Sequence, residues 1–230
     1  MPDLTDIDVI APNFKRRMSG VTSTVIRLVP LQARHINIVS SGPKLPPDLP
    51  QVPMMQLLQL PKDRPIVWHA RRNSEMLPGL ILKHVFRKNL KLVFTSAAQR
   101  DHSTYTKWLI GQMDHVIATS ARAAAYLQVP NTIIHHGIDT QTFHPVADKE
   151  ALRAQLKLPQ NGPVIGCFGR IRPQKGCDIF VNAMIRVLRD MPEAHAVLMG
   201  GVGDKFQDFA NDLQHDIKIA NLSDRFRILP

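Results

Sequence analysis

The run Gly166-Cys167-Phe168-Gly169-Arg170-Ile171-Arg172-Pro173-Gln174-Lys175-Gly176 sets glycines and cations between an apolar stretch and a helical one that opens near Cys177. Such a strand-to-helix turn binds anions, because the helix start exposes unpaired N–H groups and about half a positive charge from its dipole. Arg170, with its planar fork, and Lys175, as a mobile point charge, can then share one diphosphate. The alternative is a pair of solvated loop charges, and the spacing is not that of a P-loop. Gly200-Gly201-Val202-Gly203 follows the next apolar run and sets a second glycine turn beside the first, although glycine also serves turns that hold no ligand.

Other reactive side chains group less well. His135, His136 and His144 suggest a metal, but adjacent strand residues point to opposite faces, so structural histidines are the favoured reading. Cys177 reads either as a thiol at a helix start or as a small buried hydrophobe, and the second fits better without a placed histidine. With Cys167 it makes no CxxC pair, which fits a reducing compartment and no thiolate metal.

The elements that position these residues follow from hydrophobic periodicity. Residues 7–11 read as a strand, 13–20 as a glycine-containing loop and 21–31 as a helix. Strands follow at 36–39, 54–60, 66–68 and 90–94, with a proline-rich loop at 42–53 and a helix over 74–88 capped by Ser74. A helix at 103–110, a strand at 115–118, a helix at 121–127 and a strand at 132–135 complete one doubly wound parallel sheet within 1–140. A looser stretch, 141–162, reads as a linker with a short charged helix at 148–156. Residues 163–230 then start a second sheet, with strands at 163–168, 194–199 and 226–229 and helices at 177–188 and 206–219. That is three strands of the about six that such a sheet holds, which leaves strand 163–168 as an edge.

Composition narrows the function. With 44% hydrophobic and 21% charged residues in 230, the chain is an ordinary globular protein. No stretch approaches the ~18 apolar residues of a membrane span, and the acidic start is unlike a secretory signal, so a cytoplasmic location is expected. The formal charge of +10 calls for an anionic partner: nucleic acid, acidic lipid or a phosphorylated small molecule. Aromatics at 6% and the lack of nucleic-acid-binding signatures disfavour the first. Arg71, Arg72, Lys83, Arg87, Lys88 and Lys91 crowd around one amphipathic helix that also carries Leu77, Leu80, Ile81 and Val85. That helix reads either as a peripheral contact with anionic membrane, on the inner face of the cytoplasmic membrane, or as a core-packed helix with a solvated basic face.

Taken together, the Gly169–Gly176 turn, the glycines after residue 199, and His136-Gly137-Ile138-Asp139 with Phe143 and Pro145 resemble the retaining group 1 glycosyltransferases of GT-B fold, built from two Rossmann-like domains. Trp68-His69-Ala70-Arg71-Arg72-Asn73-Ser74-Glu75-Met76 and Thr95-Ser96-Ala97-Ala98-Gln99-Arg100 are similar to the lipopolysaccharide-core mannosyltransferase group. The resemblance implies that Gly20, Gly169, Arg170, Lys175 and Gly201 bind the donor diphosphate. It implies catalytic roles for Arg170 and Lys175, with His69 a further candidate, and an acceptor side of His69, Arg71, Arg72 and Asp101; His69 reads equally as a satisfied core histidine. Arg170 and Lys175 would neutralise the departing diphosphate, an interaction that strengthens in the transition state.

The reaction it implies is transfer of a hexose, mannose from GDP-mannose, onto a lipid-linked lipopolysaccharide-core acceptor, without cofactor or essential metal. Two departures stand out: Ser96-Ala97 replaces a histidine common in relatives, so that role is empty or taken by Asp101 or His102, and the paired glutamates of the second domain are absent, the only glutamates being Glu75, Glu150 and Glu193. The chain therefore reads as C-terminally truncated and is expected to be inactive alone. A transferase with another donor, such as UDP-glucose, a non-catalytic remnant, and a basic nucleic-acid module are the alternatives.

Overall fold

The computed structural model describes residues 3–16 and 18–230. Two compact units follow one another, Met1–Ile138 and Asp139–Pro230. The first contains β1 (Val9–Pro12), α1 (Gly20–Gln32), β2 (Ile38–Ser41), β3 (Ile66–Ala70), α2 (Asn73–His84), β4 (Leu90–Ser96), α3 (Thr104–Ile110), β5 (His115–Ala118), α4 (Ala121–Ala124) and β6 (Thr132–Ile133). All strands pair in parallel, in the order β2-β1-β3-β4-β5-β6. Strand order reverses between β1 and β3, and in an open parallel sheet the crevice at the carboxyl ends of such a pair is where ligands sit.

The core explains the tightness of this crossing. Trp68 on β3 is fully buried and donates its Nε1–H to the Glu75 carbonyl at 2.9 Å. A Cβ at Gly79 would lie 2.6 Å from the Trp68 ring, so glycine lets α2 settle onto the indole. Burying that ring contributes on the order of 3 kcal/mol.

Several expectations are corrected here. Residues 54–60 form no strand: Met54–Gln59 is a 3₁₀ helix. The outer side of β2 is already engaged by Gln51, which bridges Ser40, while Val52 donates to the Ser40 carbonyl. Leu57 and Leu60 are buried three residues apart, the period of a 3₁₀ turn. Ser74 does not cap α2; Arg72 takes the cap position with extended backbone, and Asn73 Oδ1 accepts from the Ser74 amide. On α2, of the four apolar residues expected on one side, only Leu80 is buried. Leu77, Ile81 and Val85 face outward, 38%, 40% and 69% exposed.

The second unit holds α5 (Lys149–Gln155), β7 (Val164–Phe168), α6 (Cys177–Asp190), β8 (His195–Met199), α7 (Gln207–Ile219) and β9 (Phe226–Leu229). Its parallel sheet runs β7-β8-β9, so β7 is an edge. Ile165, Cys167, Ala196, Leu198, Phe226 and Ile228 face the core with residues of α6 and α7, whereas Phe168, on the opposite face, is 74% exposed. The stretch around α5 is tied into this unit: Arg153 donates to the carbonyls of Pro159, Gln160 and Gly162, and Arg227 donates to that of Lys157.

Candidate functional site

In the first unit, the carboxyl ends of β1 and β3 open into a cavity of about 630 Å³. Gly20, Val21 and Thr24 line it from the start of α1, and Arg71, Arg72 and Asn73 from the turn entering α2. Thr95, Ser96, Ala97, Ala98, Arg100 and His102 close it from the end of β4. Ser19 caps α1 by accepting from the Thr22 amide at 3.3 Å, and no acid stands in the first turn, so the positive end of the helix dipole is directed here. A Cβ at Gly20 would meet nothing within 4 Å. Arginines 71, 72 and 100 line the cavity with no Asp or Glu among the described lining residues. Arg17, in the preceding loop, lies outside the described residues.

Behind this surface lies a polar network that the sequence did not single out. Arg72 Nη1 donates to Asn13 Oδ1 at 2.8 Å and Glu75 Oε1 at 2.7 Å; Nη2 donates to Ser19 Oγ at 2.7 Å and Thr22 Oγ1 at 2.9 Å. Glu75 is fully buried and its Oε2 accepts from the Arg71 amide at 2.8 Å. Burial pushes its carboxyl up, against the pull of that amide and of the Arg72 guanidinium.

His69 is half-buried on β3, does not line the cavity, and pairs through Nε2 with Thr95 Oγ1 at 2.7 Å. Burial, helped by the nearby Arg71 charge, lowers its pKa to about 3. The ring is therefore neutral near pH 7 and orients the Thr95 hydroxyl, which does line the cavity; so weak a base does not suit a proton-accepting role. Asp101 is exposed and outside the lining, whereas His102 is in it and pairs with Ser96 at 3.4 Å. Burial and the charges of Arg100 and Lys107 hold the His102 pKa below its usual value.

In the second unit, both glycine turns sit at the carboxyl ends of β7 and β8. Gly169 has φ 140°, a conformation that favours glycine, and its amide donates to the Met199 carbonyl at 2.9 Å. Ile171 donates to the Gly201 carbonyl at 3.3 Å and bridges Val202. Arg170 is half-buried and Lys175 exposed, the latter ending a 3₁₀ turn, Pro173–Lys175. Gly176, at φ 67°, then starts α6 with no side-chain cap, and Asp178 stands in its first turn. Arg172 Nε is buried here without a partner. Gly200, rather than Gly201, makes the close approach between the turns, a distinction the GG pair could not reveal.

Two consecutive units, each a parallel sheet flanked by helices, have the fold of the GT-B glycosyltransferases. Among solved structures, Anabaena HepE in complex with UDP shares that fold, with TM-score 0.78 and 18% identity over 97% of this chain and 70% of that one. The whole chain is 51% identical to the lipopolysaccharide core biosynthesis mannosyltransferase LpcC of Rhizobium leguminosarum bv. viciae, and 98% of it is 49% identical to LpsB, the enzyme of the same description from Rhizobium meliloti strain 1021. It spans 66% of the length of each. No known family profile matches the chain. The chain belongs to the group 1 GT-B glycosyltransferases, alongside the lipopolysaccharide core mannosyltransferases.

Proposed function

We propose that this protein transfers mannose from GDP-mannose, with retention, to a lipid-linked acceptor of the lipopolysaccharide core. The 51% identity to LpcC across the whole chain carries this reading. The donor diphosphate is held by Arg170 and Lys175 with the glycine turns at Gly169 and Gly201, whose charges and amides stabilise it most as it departs. The departing diphosphate receives the acceptor proton, so the reaction requires no cofactor or metal. Arginines 71 and 100, together with the α1 dipole, suit an acceptor sugar that bears an anionic substituent near the reacting hydroxyl.

Contact with the inner face of the cytoplasmic membrane completes the reading, in an altered form. No helix among the described residues is long and apolar enough to cross a bilayer. Much of the expected basic face is engaged: Lys83 pairs with Asp114 at 2.7 Å, Lys88 is buried and donates to the Leu60 carbonyl, and Arg72 points inward. Leu77, Ile81, Val85 and Phe86 are exposed instead, beside the exposed Arg87 and Lys91. Apolar insertion rather than charge alone then drives binding.

The test incubates the protein with GDP-mannose, or a panel including UDP-glucose, and core lipid. It is run as this chain and as a fusion to the part of the R. leguminosarum relative outside the matched region. Mannose transfer is expected from the fusion, with donor binding lost in Arg170→Ala/Lys175→Ala. No transfer, together with GDP-mannose binding that survives both substitutions, would reject the assignment.

A further inference from the structure

Arg72 was expected to meet the acceptor, yet all four of its described side-chain bonds run inward. Its partners Asn13, Ser19 and Thr22 come from the loop and helix start after β1, lying 59, 53 and 50 residues away in sequence. Its fourth partner, Glu75, belongs to its own turn. The guanidinium thus spans the reversal between β1 and β3 and joins two segments that line the same cavity. Asn13 and Glu75 are fully buried and Thr22 is 3% exposed, so the connection lies in low dielectric, where charge-assisted bonds are strong. Between Asn13 and Ser19 the described loop has no helix or strand of its own. Its first amide is held by the Ser41 carbonyl and its last residue by Arg72 and the Thr22 amide.

We infer that Arg72 is a positioning residue: it clamps the loop after β1, and with it Gly20 and the amino end of α1, in the geometry that receives the acceptor. The inference rests on the transferase reading for its consequence, but the clamp itself does not. A planar fork with two nitrogens, each serving two acceptors, is something lysine cannot reproduce, whereas lysine keeps the positive charge that the buried Glu75 needs. Arg72→Lys therefore separates geometry from charge.

Two measurements decide it. Amide hydrogen exchange at Thr22 and Ser23, which donate to the Ser19 hydroxyl and carbonyl, should rise about tenfold in Arg72→Lys while β3 and β4 keep their protection, the mark of local rather than global loosening. In the transfer assay of the fusion, kcat/KM for the acceptor should fall roughly 10- to 100-fold, as expected for a misplaced binding loop. Unchanged exchange at Thr22 and Ser23, or a uniform rise across the sheet, overturns the clamp. Raised exchange at Thr22 and Ser23 with unaltered transfer overturns the positioning role. Should the fusion without the Arg72 substitution transfer no sugar, with GDP-mannose binding that survives Arg170→Ala/Lys175→Ala, the transferase reading fails while exchange still decides the clamp.

Discussion

A Cβ on Gly200 would overlap the carbonyl group of Gly169, so the two glycine turns of the second unit touch backbone to backbone. Gly200 also has φ 150°, where side chains are rarely accommodated. Gly200→Ala should cost about 2–4 kcal/mol and move the Gly169–Arg170 peptide. Gly201→Ala, whose added methyl meets nothing within 4 Å, should stay within ~0.5 kcal/mol. Denaturant melts of both variants check the difference.

The histidine beneath the first cavity makes stability depend on pH. His69 is held neutral down to about pH 3 in the fold, whereas in the unfolded chain it takes a proton near pH 6.5. Below that value the unfolded state binds more protons, so stability falls as pH drops. The slope approaches 1.4 kcal/mol per pH unit from this group until about pH 3. His69→Gln should flatten that part of a stability profile measured between pH 7 and 4. An unchanged slope would remove His69 as its source.

If the cavity of the first unit receives the acceptor as proposed, its charge should be visible through salt. Arg100 is exposed at the rim, so Arg100→Ala should raise the acceptor KM about 3- to 10-fold at low ionic strength and less at 0.5 M salt, where a Debye length of roughly 4 Å screens it. A neutral acceptor analogue should show no such difference between the two proteins.

The proposed membrane contact, through α2 and Val85 just beyond it, has its own signature. Leu77→Ser/Ile81→Ser/Val85→Ser should abolish co-sedimentation with phosphatidylglycerol vesicles at low and high salt alike. Arg87→Ala/Lys91→Ala should weaken it only at low salt, by about 1 kcal/mol per cation. Equal binding by all three proteins would discard this surface as the contact.

Legibility in the sequence followed the range of the interactions. The strands His115–Ala118 and Phe226–Leu229 match their expected bounds, and Ser103 caps α3 where a helix start was read, because short apolar runs and capping are local. Strand 132–135 shrinks to Thr132–Ile133 at the sheet edge, where only β5 pairs with it. Residues 54–60 carry strand-like composition, but the neighbouring ladder is occupied by Gln51, which no propensity discloses. The outward turn of Leu77 and Ile81 depends on Gly79 facing Trp68, and so on the partner helix α2 meets.

By itself the sequence determined two parallel sheets, the cation-and-glycine turn at Gly169–Gly176 and kinship with a transferase family, because periodicity, turn chemistry and identity are carried by neighbouring residues. Tertiary structure alone decided that Arg72 bonds Asn13, Ser19, Thr22 and Glu75, that His69 is neutral beneath Thr95, and that Gly200 is the close contact. The direction of a side chain and the dielectric around it are set by segments tens of residues away, and those meet only when β1 and β3 pair.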